Sequence, residues 1–279
     1  MKPSSGSTLR THVEVRHFSP RHGDIEVMRD RLAPLSAATK SFPFANLQVT
    51  ISFLLPAEEY YVKARLALPG RVLLTGEHDS VMMPPYECCV RKLVHKAELH
   101  RLRDGATAKV AAPISADKNR SSNQPNDERL RRAYGKDDCQ EFFAELAGHR
   151  HTILSHVREW VRRRVGITID ASDERVLDDL VDEVMLSAFE RYESRPSSLR
   201  IGDWIEILID PALRSMLGRP DEPNEAVSYA RSLREMRTGR ARPVVDRGGK
   251  SPPASRTRWP TDSPRDTNSP SANASYNRD

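Results

Sequence analysis

Apolar residues recur at every second position along three short segments near the start of the chain. Residues 11–18, 47–53 and 61–68 show this alternation, and residues 71–75 continue the pattern after Pro69-Gly70. A period of two is typical of strands with one buried face, and Pro-Gly favours a tight turn. We therefore predict four strands, the last three joined by short connections into a meander.

Two further segments carry apolar residues at helical spacing. One spans residues 25–35, where Pro34 is expected to end or kink the helix near its last turn. The other follows Pro84-Pro85 and has an apolar stripe from Tyr86 to Ala97. The predicted fold is α+β in the order β-α-β-β-β-α, with two helices on one face of a four-stranded sheet.

The remainder of the chain changes character twice. Residues 105–128 lack periodicity and are predicted to be a linker after a first domain at 11–104. Residues 129–236 repeat apolar positions at helical spacing, which predicts an all-α domain of about four to five helices. Residues 237–279 contain six prolines after Arg237 and neither Leu, Ile, Phe nor Met, so we predict a disordered tail.

Charge is distributed unevenly over these regions, although the net charge of the chain is only +5. Residues 11–104 hold 13 Lys and Arg against 11 Asp and Glu, and residues 126–219 hold 15 against 19. The tail from 237 onward is basic, with 9 against 4. A basic first domain and a basic tail therefore flank an acidic middle.

Cysteine content and hydropathy exclude several classes of protein. The three cysteines form no disulfide framework and no Cys-x-x-Cys pair for zinc. The sequence contains neither the apolar core of a signal peptide nor a run long enough to span a membrane. We expect a cytoplasmic protein without a membrane partner, a metal or a cofactor.

One face of the helix after Pro84-Pro85 is predicted to be cationic. A cationic face gains affinity for nucleic acid by releasing counterions from phosphates, although a solvated face with a surplus of Lys and Arg has the same appearance. The exposed side of the strands extends the charge. The candidate RNA-binding residues are Arg91, Lys92, His95, Lys96, Arg101 and Arg103 on the helix, and Arg16, Lys63 and Arg65 on the strands.

Three local features accompany this order of elements. They are the turn within residues 66–73 (LALPGRVL), Asp79 before the long helix, and residues 90–96 (VRKLVHK) within it. On these features, residues 11–104 resemble the ribosome hibernation-promoting family, also called sigma-54 modulation or ribosome-associated inhibitor proteins. The resemblance implies binding to small-subunit rRNA, in the channel used by messenger and transfer RNA, and inactivation of ribosomes.

The sequence also departs from that family. Pro84-Pro85 and Cys88-Cys89 stand where the family has small residues and an acidic one, so the start of the helix differs. Long members of the family carry a β-rich dimerisation domain at the C-terminus, and nothing in this sequence resembles it. The resemblance therefore does not imply ribosome pairing by that route.

An acidic and apolar pattern lies in the predicted helical domain. Residues 178–191 resemble the second conserved region of RNA polymerase sigma factors, which contacts the polymerase clamp. The acidic positions are predicted to form a solvated or partner-binding face of a helix, because no nucleophile or phosphate-binding loop accompanies them. They are Asp178, Asp179, Asp182 and Glu183.

These observations favour a binding protein over an enzyme. The main hypothesis is a ribosome-associated regulator of translation that binds small-subunit rRNA and promotes ribosome inactivity under stress. The alternative is a transcription-linked adaptor whose sigma-like helical domain contacts RNA polymerase. Arg162–Arg164 suits phosphates and the carboxyl end of a helix equally well, so its role stays open.

Overall fold

The four strands form one mixed sheet whose spatial order follows the chain. They are β1 (Leu9–Arg16), β2 (Ala45–Leu54), β3 (Glu59–Leu68) and β4 (Arg71–Asp79). β1 is parallel to β2, whereas β2 with β3 and β3 with β4 are antiparallel. Gly70 joins β3 to β4 with a φ of 71°, a left-handed conformation that glycine adopts without steric cost. The predicted four-stranded sheet is confirmed.

The computed structural model describes four stretches of the chain, namely residues 9–55, 57–108, 127–167 and 173–238. The side chains of His22 and of residues 102–108 are not among the described parts. Most of the predicted linker at 105–128 and nearly all of the predicted tail at 237–279 lie outside the described residues.

Three helices accompany the sheet: α1 (His22–Asp30), α2 (Ala33–Thr39) and α3 (Met83–Ala108). The helix predicted over residues 25–35 is divided into α1 and α2. Pro34 lies in the first turn of α2, because a residue without an N–H suits a helix start but not a helix interior. α1 and α2 supply the crossover that the parallel pair β1–β2 requires.

The core of this region lies between α1–α3 and one face of the sheet. Alternate residues of β2 and β3 point into it, as the period of two predicts, and Leu93 of α3 is fully buried against them. The predicted α+β arrangement, with helices on that face, is confirmed. The buried strand residues are Leu47, Val49, Ile51, Val62, Ala64, Leu66 and Leu68.

The rest of the described chain is helical, as predicted. It contains six α-helices where about four to five were expected, with two short 3-10 turns at residues 147–149 and 192–194. The helices are α4 (Asp127–Gly135), α5 (Cys139–Leu146), α6 (Arg150–Val165), α7 (Glu174–Glu190), α8 (Ile201–Leu217) and α9 (Glu225–Thr238). α7 is the central one, since every residue from Asp179 to Phe189 is buried.

The second core belongs to these helices but also includes part of the sheet. Ala67, Val72 and Leu74 of β3 and β4 pack with the apolar residues of α4–α9. The second face of the sheet, which was expected to be exposed, is therefore partly covered by helices. Both regions belong to one compact unit at residues 1–243, and the predicted boundary between them stays a prediction. None of the helices described for residues 9–238 could cross a bilayer.

Candidate nucleic-acid interface

Lys92 and Lys96 are one helical turn apart on α3 and point towards α7, beside the edge strand β4. Lys92 Nζ donates to Glu183 Oε1 at 2.9 Å and to Ser187 Oγ at 2.7 Å. Lys96 Nζ donates to the Leu74 carbonyl oxygen of β4 at 2.6 Å. The exposed fractions of the two lysines are 0% and 3%, so neither ammonium group reaches solvent.

Glu183 of α7 forms ion pairs with both lysines. Its Oε2 lies 2.5 Å from Lys96 Nζ, and its Oε1 also accepts a hydrogen bond from Thr75 Oγ1 of β4 at 3.0 Å. Burial alone would raise the pKa of Glu183, but the charges of Lys92 and Lys96 outweigh it and hold the pKa below its ordinary value. The carboxylate is therefore ionised at neutral pH.

Glu77 at the end of β4 completes the group. It pairs with Lys92, and its Oε2 lies 2.7 Å from Arg191 Nη2. Burial would raise the pKa of Glu77, yet Lys92 and Arg191 lower it. Burial would lower the pKa of Lys92, but Glu183 and Glu77 outweigh it and raise that pKa well above its usual value. We call Lys92, Lys96, Glu77 and Glu183 the buried charge cluster.

Arg91 and His95 flank this cluster on the same side of α3. Arg91 Nη2 lies 2.7 Å from Glu190 Oε2, and the Arg91 side chain is half exposed. The His95 ring meets the edge of the Phe189 ring, with 5.7 Å between their centroids. Both predicted RNA contacts therefore touch the end of α7.

The other three predicted acidic residues of α7 pair with two arginines. Asp179 pairs with Arg71 of β4, while Asp178 and Asp182 hold Arg150 of α6, with carboxylate oxygens 2.5 Å and 3.3 Å from its guanidinium nitrogens. Asp179 and Asp182 are buried, and Asp178 is about one third exposed. The prediction of a solvated acidic face is therefore wrong, because α7 lies between the sheet and the other helices.

Lys63 projects from β3 on the second face of the sheet. Its Nζ donates to the Gly218 carbonyl oxygen at 2.6 Å and to Ser232 Oγ at 3.0 Å. Burial, followed by the nearby charge of Arg219, lowers the pKa of Lys63 to about 7. The lysine therefore contacts α8, α9 and the segment between them.

Arg65 and Arg16 lie on the same face and also meet acidic groups of the helical region. Arg65 Nε is 3.9 Å from Glu235 Oε2 of α9. Arg16 Nη1 is 3.0 Å from Asp221 Oδ2, and another of its nitrogens is 3.1 Å from Glu14. All three predicted strand cations thus contact the chain beyond residue 214.

Gly76 allows this close packing. A Cβ atom at Gly76 would lie 1.9 Å from the Ser215 carbonyl oxygen of α8, a distance that no side chain permits. Next to it, the Tyr61 hydroxyl donates to the same oxygen at 2.6 Å. α8 is therefore held close to the sheet in two ways. Gly76 leaves room for its backbone, and the Tyr61 hydroxyl binds its Ser215 carbonyl oxygen.

The structure places the predicted RNA-binding residues of α3 beside β4 and α7. It places those of β1 and β3 on the second face of the sheet, against α9 and the segment before it, so in both places they contact their own chain. Lys92 and Lys96 were predicted to lie on a cationic face for RNA, with a solvated face as the alternative; the structure contradicts that alternative for these two lysines, since α7 covers them. Arg101 is exposed, and the side chain of Arg103 lies outside the described residues. Binding of rRNA by this set stays a prediction, as does contact between the acidic residues and a second protein.

Several contributors to this interface could not be identified from sequence. Glu77 and Gly76 follow Thr75, where the alternation predicts the fourth strand to end, whereas β4 continues to Asp79. Glu190 lies within the segment that resembles sigma factors, but beyond the four acidic positions that the pattern predicts to form a face. The signal for Glu77 was its place two residues after Thr75, on the same side of an extended strand.

Other polar groups in the described ranges give no second site. Cys88, Cys89 and Cys139 are free thiols, and no group of three or more described His, Cys, Asp or Glu residues could hold a metal ion. In the Arg162–Arg164 run, the first two side chains pair with Glu159 and the third with Asp210.

The chain matches no known family model, and no curated protein matches it by sequence. Among the solved structures similar to this chain, two each match about a third of it. The N-terminal domain of Protein Y from Thermus thermophilus is 14% identical with a TM-score of 0.30, covering 33% of this chain and 99% of that one. A ribosomal subunit interface protein from Coxiella burnetii is 18% identical with a TM-score of 0.24, covering 34% and 98%. Values this low establish neither family nor function for this chain.

Proposed function

We propose that this protein is a ribosome-associated regulator of translation whose sheet region binds small-subunit rRNA and promotes ribosome inactivity under stress. The confirmed β-α-β-β-β-α order agrees with the resemblance of residues 11–104 to the hibernation-promoting family. That resemblance rests on residues of this chain, including the Pro69-Gly70 turn and the run from Val90 to Lys96.

One observation carries the proposal. Basic side chains from β1, β3, β4 and α3 lie on the two faces of the sheet region, and each contacts carboxylate or carbonyl oxygens. Such side chains bind the oxygens of phosphates by the same charge-assisted hydrogen bonds. The set comprises Arg16, Lys63, Arg65, Arg71, Arg91, Lys92 and Lys96.

Co-sedimentation with purified small ribosomal subunits tests the proposal. We expect binding to weaken as salt rises, because each phosphate contact releases a counterion. Arg91→Gln with Arg101→Gln should lower the slope of log K against log salt by about two, one unit for each lost contact. Lys92 and Lys96 are unsuitable for this test, since changing them alone would leave the buried Glu183 carboxylate without its cations.

The matched control is Arg129→Gln with Arg132→Gln on α4. Arg129 is 51% exposed and pairs with Glu145, much as Arg91 is 52% exposed and pairs with Glu190. Both double variants remove two positive charges, so non-specific attraction to RNA falls equally. Equal loss of binding in the two variants, or no binding by the unmodified protein, would contradict the proposal.

A further inference from the structure

Four of the cations proposed to bind rRNA are paired with carboxylates of one helix of the same chain, α7. We propose that α7 is an internal competitor for RNA: Asp179, Glu183 and Glu190 occupy Arg71, Lys92, Lys96 and Arg91 in the closed protein, and RNA phosphates replace them when α7 is displaced. This inference rests on the proposed function and adds its regulation.

The burial of the cations makes the two partners mutually exclusive. Lys92 is 0% exposed and Lys96 is 3% exposed, and Glu183 between them is fully buried. A phosphate group cannot approach either ammonium while Glu183 holds its place. Binding of RNA to these two lysines therefore requires α7 to leave the edge of β4.

The chemistry of the contact allows such an exchange. Removing two charges from water costs free energy that their mutual attraction only partly returns, so a buried ion pair adds little net stability over its separated, hydrated members. A polyanion offers the same cations many oxygens at once and releases counterions on binding. RNA can therefore replace carboxylates where it could not replace a purely apolar contact.

Apolar packing keeps the protein closed when RNA is absent. Ala67, Val72 and Leu74 of the sheet are buried in the core of the helical region, and the Tyr61 hydroxyl binds the backbone of α8. These contacts present no positive charge to RNA, and they favour the closed form of the protein. Two opposing contributions therefore set the affinity for RNA. The apolar contacts favour the closed protein, and the buried charge cluster supplies cations that RNA can bind once the protein opens.

A pair of double variants of the full chain tests the inference. Asp179→Asn with Glu183→Gln removes the two carboxylates that hold Arg71, Lys92 and Lys96. Binding to purified small ribosomal subunits should become at least tenfold tighter than that of the unmodified protein. Adding Lys92→Gln and Lys96→Gln to this variant should abolish the gain, because the released cations are then lost.

Asp178→Asn with Asp182→Asn is the matched control. It removes two negative charges from the same helix, but these carboxylates hold Arg150 within the helical region. Its affinity should stay within about twofold of the unmodified protein. An equal gain in both variants would show that total charge, and not the cover, controls binding, and would overturn the inference.

The remaining outcomes separate this inference from the proposed function. If the unmodified protein and the Asp179/Glu183 variant bind small subunits equally well, α7 is not a competitor, while the proposed function stands. If neither binds, both ideas fail.

Hydrogen exchange on the unmodified protein covers the case in which the Asp179/Glu183 variant does not fold. Bound subunits should reduce amide protection across α7 and β4 at saturation. Unchanged or increased protection of α7 under those conditions would overturn the inference.

Discussion

The two sides of α3 are held against the rest of the molecule in opposite ways. On one side Cys89, Leu93 and Ala97 pack against alternate apolar residues of β2 and β3. On the other, Lys92 and Lys96 meet carboxylates of β4 and α7. The first contact stabilises by removing apolar surface from water, whereas the second is costly to break and contributes little when intact.

The largest expected effect comes from breaking the charged side alone. Glu183→Ala leaves Lys92 and Lys96 buried without their shared carboxylate and should lower the free energy of unfolding by about 3–5 kcal/mol. Urea denaturation followed by circular dichroism measures this. Asp178→Ala, at a position about one third exposed on the same helix, should cost about 1 kcal/mol or less; equal losses would contradict the comparison.

A somewhat smaller effect is expected on the apolar side. Leu93→Ala removes a fully buried side chain and leaves a cavity, at a cost of about 2–4 kcal/mol in the same denaturation experiment. Val94→Ala on the neighbouring, partly buried position is the control and should cost less. A loss from Leu93→Ala below that of Val94→Ala would show that α3 is not anchored by this face.

The third prediction concerns pH and Lys63. Its pKa is lowered in the folded protein from 10.5 to about 7, so between these values the unfolded chain binds more protons than the folded one. The cost of burying the charge is present below about pH 7 and is relieved as pH rises towards about 9. Relative to Lys63→Met, the unmodified protein should gain about 2 kcal/mol in unfolding free energy over that interval.

The exposed Lys136 provides the control for this pH effect. Lys136→Met should leave the difference between unfolding free energies at about pH 6 and pH 9 unchanged, because its side chain is 59% exposed. If Lys63→Met also leaves that difference unchanged, the ammonium group of Lys63 does not titrate near neutrality.

The smallest effect is expected at the rim of the charged side. Arg91 pairs with Glu190 but is 52% exposed, so Arg91→Gln should change the unfolding free energy by about 1 kcal/mol or less. Thermal unfolding measures this directly. If Arg91→Gln lowers the unfolding free energy as much as Glu183→Ala does, the half-exposed pair of Arg91 and the buried pairs of Glu183 contribute equally. That result would contradict the comparison.

The apolar side of α3 could be predicted from sequence because its signal is local. Alternation in β2 and β3 and helical spacing from Tyr86 to Ala97 identify that core from short windows. The same windows show Lys92 and Lys96 as a cationic face, and they carry no sign that Glu183 neutralises it about ninety residues later. Long-range pairing of charges leaves no period in the sequence.

The acidic residues of α7, which are the partners of these cations, also show that local sequence windows do not reveal long-range ion pairs. Asp178 and Asp182 differ from Asp179 and Glu183 only by position on the helix, yet the first two bind α6 and the others bind β4 and α3. A face that is polar in sequence was therefore predicted to be solvated. Its burial follows from the placement of α7 between two layers, which local patterns do not specify.

Gly76 gives the sheet and α8 their spacing. The two backbones leave no room for a methyl group, because a Cβ atom at Gly76 would lie 1.9 Å from the Ser215 carbonyl oxygen. The side chain of any other residue at this position would push β4 and α8 apart. The spacing between β4 and α8 is thus set by a single missing carbon atom.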